Sequence, residues 1–163
     1  MLIKTIDHTT KNFKKYESRE AVRAVIKDGD KLLMVFISSK NTYIFPGGGV
    51  EEGESLEETC VREALEEAGA VVRINKYLGF IDEFRDSKLG DMCFNMKSHF
   101  YECSLLSMTS QSLEKYEAEY GFEPRFIKVE DALKHNIEND NDPYQRYLER
   151  NIQLLTLLSE NKL

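Results

Sequence analysis

The sequence predicts an α+β domain, a mixed β-sheet covered by helices. One strongly marked helix, Ser55 to Ala68, lies in the middle of the chain. Segments of strand composition lie before it, directly after it and again near residue 125. An amphipathic helix closes the chain. Within 163 residues no internal repeat, low-complexity tract or Pro- or Ser-rich linker appears, so residues 1–163 are expected to form a single domain around one core.

The elements follow in order. "REAVRAVIKDGDKLLMVFISS" reads as two apolar strands around Asp28–Gly29–Asp30, with Asp-Gly as the hairpin turn. "NTYIF" is a short strand stopped by Pro46 and three glycines. In the central helix Ser55 and Glu58 form an S-x-x-E capping box, and Gly69 supplies the C-terminal stop. "AVVRINKYLGFIDEF" and "CFNMKSHFYECSLL" have the aromatic and β-branched content of strands, joined by the polar turn "RDSKLGD". Residues 106–124 are polar and receive no assignment. "EPRFIKV" is a last strand, followed by a short helix from Glu130. Asp142 and Pro143 suit the N-cap and first turn of a closing helix over about 142–160. In it Tyr144, Tyr147, Leu148, Ile152, Leu155 and Leu158 recur at helical spacing.

Composition excludes several classes. With 41% hydrophobic and 31% charged residues the chain reads as globular, and no apolar run approaches the roughly 20 residues a membrane helix needs. The N-terminus "MLIKTIDHTTKNFKK" lacks the apolar core of a secretory signal. Three cysteines, none in a CxxC, suit a reduced, cytoplasmic setting. A net charge of −7 argues against a nucleic-acid polymer as partner, which would call for a basic stripe. His8, His99 and His135 are scattered and read as surface or structural residues.

The charge distribution is the informative feature. Residues 51–70 hold eight glutamates against one basic residue, Arg62, so this segment alone carries the chain's whole excess charge. On a wheel of about 100° per residue, Leu56, Cys60, Val61, Ala64, Leu65 and Ala68 occupy one half of the helix. Glu63, Glu66 and Glu67 gather beside them, at the edge of the apolar stripe. Like charges three and four residues apart repel, and Glu66 and Glu67 oppose the helix dipole in the last turn. Arg62 lies four residues from both Glu58 and Glu66 and offsets part of this. Clustered carboxylates without His or Cys suit a hard ion such as Mg²⁺ or Mn²⁺, which keeps waters and shares its shell with substrate phosphates. A solvated acidic face is the alternative reading of the same charges.

The stretch resembles the Nudix box, G-x5-E-x7-R-E-U-x-E-E-x-G-U. Gly48, Glu54, Arg62, Glu63, Glu66, Glu67 and Gly69 fill its seven fixed positions. At residue frequencies of roughly one in fifteen, a chance match at a given start is on the order of one in 10⁸. Ala64 and Ala70 stand at the two bulky-apolar positions and are smaller than the usual Ile, Leu or Val. The flanks "YIFPGGGVEEGES" and "RFIKVEDALK" also look like the family. The resemblance implies a Nudix fold, an α/β/α sandwich around a mixed sheet, and hydrolysis of a nucleoside diphosphate linked to another moiety by water attack on phosphorus with Mg²⁺ (or Mn²⁺). It implies Glu63, Glu66, Glu67 and the Gly47 carbonyl as metal ligands, with Glu63 and Glu66 as the catalytic carboxylates. Gly48, Glu54, Arg62 and Gly69 become structural, Glu54 and Arg62 through a salt bridge. A later glutamate contributes in many members, and Glu83, Glu117 and Glu119 are candidates.

Specificity lies outside the box. Arg23 and Arg85 are candidate phosphate ligands. Phe45 is the candidate substrate-stacking residue, with Tyr43, Phe84, Phe94 and Phe100 as other aromatics of suitable type. "GFIDEFR" resembles sugar-nucleotide and ADP-ribose-type members. The partner implied is a small nucleotide-type molecule, and the family leaves a homodimer open. Two other classes compete: a nucleotide-sensing Nudix-fold domain without turnover, and an isoprenoid diphosphate isomerase, which the setting of Cys60 on the apolar helix face disfavours.

Overall fold

The computed structural model describes residues 1–87, 91–141 and 146–163. Its elements run β1 (Leu2–His8), β2 (Tyr16–Asp28), β3 (Lys31–Ile37), β4 (Thr42–Ile44), α1 (Leu56–Ala68), β5 (Ala70–Asp86), β6 (Cys93–Met108), α2 (Lys115–Tyr120), β7 (Phe122–Ile127), α3 (Val129–Glu138) and α4 (Arg146–Ser159). The sheet order is β1-β5-β6-β2-β3-β4, with β7 on the other side of β3. The β2–β3 hairpin closes at Asp28↔Lys31, with Gly29 at φ 61° in the turn. β5 and β6 form a long antiparallel pair, while β2 runs parallel to β6 and β1 parallel to β5. The expected mixed sheet of an α+β Nudix fold is therefore present.

Side chains that alternate along β2 and β3 build two cores, because successive residues of a strand face opposite sides. Val22, Ala24, Ile26, Leu33, Val35 and Ile37 join Cys60, Ala64 and Ala68 of α1. Val25, Leu32, Met34 and Phe36 join Ala132 of α3 and Leu154 and Leu155 of α4. One helix thus covers one face, and two helices cover the other. No helix among the described residues is long and apolar enough to cross a membrane.

Two elements had no assignment from sequence. β1 buries only Ile6 and exists through parallel pairing with β5, a long-range contact that its own residues do not announce. α2 is a six-residue helix inside the polar 106–124 segment. The start of the closing helix at Asp142 and Pro143 lies outside the described residues.

The packing of α1 corrects the wheel. Val61 and Leu65 are 41% and 40% exposed, whereas Glu63 and Glu67 are 8% and 4% exposed. Cys60, Ala64 and Ala68 are small, so the helix sits close to the sheet and turns its carboxylate edge inward beneath the loop at 46–50. The expected aliphatic edge is left at the surface.

Candidate active site

The site begins with the backbone after β4. Its loop folds back along β2: the Val22 N–H donates to the Gly48 carbonyl at 2.9 Å, Ala24 to Pro46 at 2.9 Å, and Val50 to Glu20 at 3.1 Å. Gly47 adopts φ 150°, and a Cβ there would stand 2.0 Å from the Val22 carbonyl oxygen. At Gly48 an added Cβ would stand 2.2 Å from the Glu63 carboxylate. Glycine at these positions lets backbone lie directly on the acidic edge of α1. Gly47→Ala is therefore expected to lower unfolding free energy by about 2–4 kcal/mol, read from the urea midpoint. A midpoint equal to the parent's would refute this account of the loop.

α1 is anchored at both ends by local chemistry. The Ser55–Glu58 capping box forms at its start, and Gly69 ends it in the left-handed conformation with its N–H on Leu65. Arg62 is the brace. Its Nε and Nη2 grip Glu54 at 2.6 and 2.9 Å, Nη1 reaches Glu63 at 2.9 Å and Glu66 at 3.0 Å, and Nη2 also donates to the Gly49 carbonyl at 3.2 Å. Glu58 is turned to Ser55 instead, so Arg62 serves only one of the two glutamates four residues away. The Arg62 hydrogen bonds hold the Glu54 carboxyl down at about 2. The expected Glu54–Arg62 salt bridge is thus formed.

The two buried glutamates behave differently. Burial raises Glu63 above the usual carboxylate range, against the opposing pull of Arg62 and Arg23. Burial pushes Glu67 up to about 8, although Arg23 and the Gly47 N–H, which donates to it at 2.8 Å, favour its charge; Glu63 and Glu117 add repulsion. Half-exposed Glu66 lies at the rim and meets Arg62. Among the described residues no three acidic, His or Cys side chains come together closely enough to hold a metal ion by themselves. The donors suit a shared site: hard carboxylate oxygens from Glu63 and Glu67 beside a glycine loop, with room for waters and phosphate oxygens to complete a Mg²⁺ shell.

These groups face a cavity of about 650 Å³ that also takes in Arg23, Glu117 and Arg150. Glu117 is 5% exposed and comes from α2, where it accepts from the Glu114 N–H and the Tyr116 hydroxyl, both at 2.8 Å. Of the three candidate later glutamates it alone lines this cavity: Glu83 is held by Arg150, and Glu119 pairs at the surface with Lys115. Sequence reasoning left α2 undescribed, so the tie between Glu117 and the box came only from the fold. Tyr116 and Tyr120, stacked edge-on at 6.4 Å and half exposed at the cavity wall, were missed for the same reason.

The other expected binders divide. Arg23 projects from β2 into the cavity, and burial, then the neighbouring charge of Arg150, lowers its guanidinium to about 10. Arg85 is exposed, with its guanidinium 4.6 Å above the Phe94 ring, and lines a separate side cavity. Phe45 corrects an expectation: it is fully buried, edge-on to Phe100 at 6.4 Å, and its N–H donates to Asn151. Its ring is part of the core and has no exposed face for a base. The histidines are occupied elsewhere, His8 by Glu149, His99 by Tyr77 and Glu20, and His135 by the Asn41 carbonyl.

A glycine loop laid on buried carboxylates, in a helix braced by one arginine and covering a mixed sheet, defines a Nudix-type site. The family model for the NUDIX domain matches residues 17–148, and the chain belongs to that family. Among curated relatives it is 30% identical over 118 residues to "Nudix hydrolase 18, mitochondrial" of Arabidopsis thaliana, covering 72% of this chain and 62% of that one. It is 32% identical over 108 residues to "Diphosphoinositol polyphosphate phosphohydrolase 3-alpha" of Mus musculus, covering 64% and 59%. The chain thus spans about three fifths of the length of these relatives. Among solved structures, a NUDIX hydrolase from Nitrosomonas europaea superposes with a TM-score of 0.58 at 18% identity over 83% of this chain and 88% of that one, a likeness of fold.

Proposed function

We propose that this chain is a divalent-cation-dependent hydrolase of diphosphate linkages in small anionic molecules, with nucleoside diphosphates linked to another moiety as the leading substrate class. The observation that carries the reading is the buried Glu63–Glu67 pair, facing the same cavity as Arg23 and left electrostatically incomplete by the chain's own residues. Glu63, Glu66, Glu67 and the Gly47 carbonyl would hold Mg²⁺ or Mn²⁺, and Glu117 supports them from α2. When bound, such an ion supplies charge neutralisation on phosphate oxygens and an acidified water. Arg23 binds a phosphate oxygen and opposes the charge that develops as the linkage breaks. Glu63 or Glu66 takes the proton of the attacking water. Tyr116 and Tyr120 offer the aromatic surface that Phe45 does not. Cys60 is buried against Cys103 at 3.8 Å and lines no part of the cavity, which leaves the isomerase reading without a thiol.

A substrate panel with Mg²⁺ or Mn²⁺ tests the reading: dNTPs and their oxidised forms, ADP-ribose, nucleotide sugars, dinucleoside polyphosphates, NADH and a diphosphoinositol polyphosphate, the last because of the mouse relative's name. Cleavage of at least one compound, abolished by chelation, is expected. Binding without cleavage across the panel and across pH would instead make the chain a sensor.

A further inference from the structure

Arg150 of α4 is 6% exposed, and its Nη1 donates to Glu83 of β5. Its Nε is closed off from solvent and has no hydrogen-bond partner among the described residues. Arg23, on the same wall, has an Nε in the same condition. The two guanidinium groups are close enough for the charge of Arg150 to act on Arg23. Both arginines line a side cavity of about 190 Å³, together with Arg85, Glu83 and Phe84, and both also line the main cavity.

A structural brace tying α4 to β5 would need only Arg150 and Glu83. It does not account for a second, part-buried cation beside the first, nor for two buried donors without a partner among the described residues, each of which carries an uncompensated desolvation penalty. Three arginines line this side cavity, and Glu83 is the one carboxylate lining it among the described residues. Glu63 and Glu67 act on Arg23 from the main cavity, while Arg23 and Arg150, partly out of water, repel each other. His8 does not alter this balance, being held by Glu149 at 2.6 Å. An anion between Arg23 and Arg150 would answer both defects. The volume suffices for a phosphate group, since a water's share of liquid is about 30 Å³.

We propose that this side cavity is a second anion subsite, which takes a phosphate of the substrate other than the diphosphate being cleaved. Its role in the reaction rests on the hydrolase reading above; its anion binding does not. Preferred substrates then carry at least one phosphate beyond the scissile linkage, and Arg23 stands between the two phosphate positions.

The probe is inorganic phosphate, titrated calorimetrically into metal-free protein. Without a cation the carboxylates of the main cavity repel phosphate, so binding reports on the arginines. Glu83→Gln removes the competing carboxylate and is expected to tighten binding at least threefold. Arg150→Gln should weaken it at least tenfold, and Arg85→Ala by a smaller factor. If Arg150→Gln fails to fold, the opposite responses of Glu83→Gln and Arg85→Ala still decide. Equal affinity in parent and variants would overturn the subsite. In the cation-loaded enzyme, phosphate is expected to raise KM without changing kcat for a substrate bearing an additional phosphate, and to leave KM unaltered for one without it. An equal effect on both substrates would mark a free-phosphate effector site and overturn the substrate assignment. Should no compound in the panel be cleaved, the hydrolase reading fails while the phosphate titration still decides the subsite.

Discussion

Replacing Glu63 and Glu67 together by glutamine is expected to reduce kcat/KM by about 10³-fold or more while leaving a folded protein. The two side chains are 8% and 4% exposed, and neither has a cation to itself: Arg62 meets Glu63 at 2.9 Å but serves other carboxylates too, and no salt bridge reaches Glu67 among the described residues. Glu63 shares Arg62 with Glu54 and Glu66, and Glu67 has the Gly47 N–H as its hydrogen-bond donor. Glutamine keeps the shape and the acceptor oxygen that Gly47 requires, but removes the charge whose burial is unfavourable. Without metal the double variant should therefore melt at or above the parental temperature at pH 8. Added Mg²⁺ should raise the melting temperature of the parent and not that of the variant, because a ligand stabilises only the form that binds it. The loss of turnover follows from the removal of two hard ligands and the field they anchor, where deletion of even one stabilising group commonly costs 10²–10³-fold. Parental turnover from the double variant would end the metal assignment.

In chelator, the stability of the parent is expected to fall as pH rises from about 4.5 to about 8. Glu67 binds its proton more tightly in the folded protein, at about 8, than at its ordinary value of 4.5. A group shifted upward contributes stability that is complete below the unfolded value and lost as pH passes the folded one. At about 1.4 kcal/mol per unit, the upper bound over this window is on the order of 5 kcal/mol. Glu54 acts in the opposite sense and in a different window. It is lowered to about 2, so its contribution is present above 4.5 and disappears as pH falls through 2. Metal-free stability should accordingly peak near the boundary between the two windows. Glu63, also raised by burial, adds to the alkaline limb in the same sense, so Glu67→Gln should shrink that limb and leave the acid limb unchanged. Urea midpoints from pH 4 to 9 measure this, and an alkaline limb as deep in Glu67→Gln as in the parent would contradict it. The same proton competes with the cation. Apparent Mg²⁺ affinity should rise by up to about tenfold per pH unit below 8, approaching a plateau above it.

The features that were legible in sequence are those whose partners lie close along the chain. The capping box spans Ser55 to Glu58, the stop is Gly69, and the brace joins Glu54, Arg62 and Glu66 across one loop and two helical turns. The Asp-Gly hairpin belongs to the same group, since two residues determine its turn. Val61 and Leu65 show where local reasoning failed. A helical wheel identifies an apolar half, but the choice of buried edge depends on what the helix lands on. Here the glycine loop drew the carboxylate edge inward. Phe45 failed in the same way, because an aromatic residue beside a glycine loop looks the same in sequence whether its ring faces a cavity or the core.

The two cores on either face of the sheet came from the fold, while the sequence by itself determined the acidic helix, its caps, its brace and the alternation along its strands. These are short-range hydrogen bonds, i,i+4 pairs and periodicities of 2 and 3.6, and each is written within a few neighbouring residues. Tertiary structure alone decided that Glu117 of α2 faces Glu67, and that Arg150 of α4 meets Glu83 of β5 beside Arg23 of β2. Those meetings span tens to more than a hundred residues, and they depend on sheet order and helix docking. No local pattern encodes which buried charge will find which other.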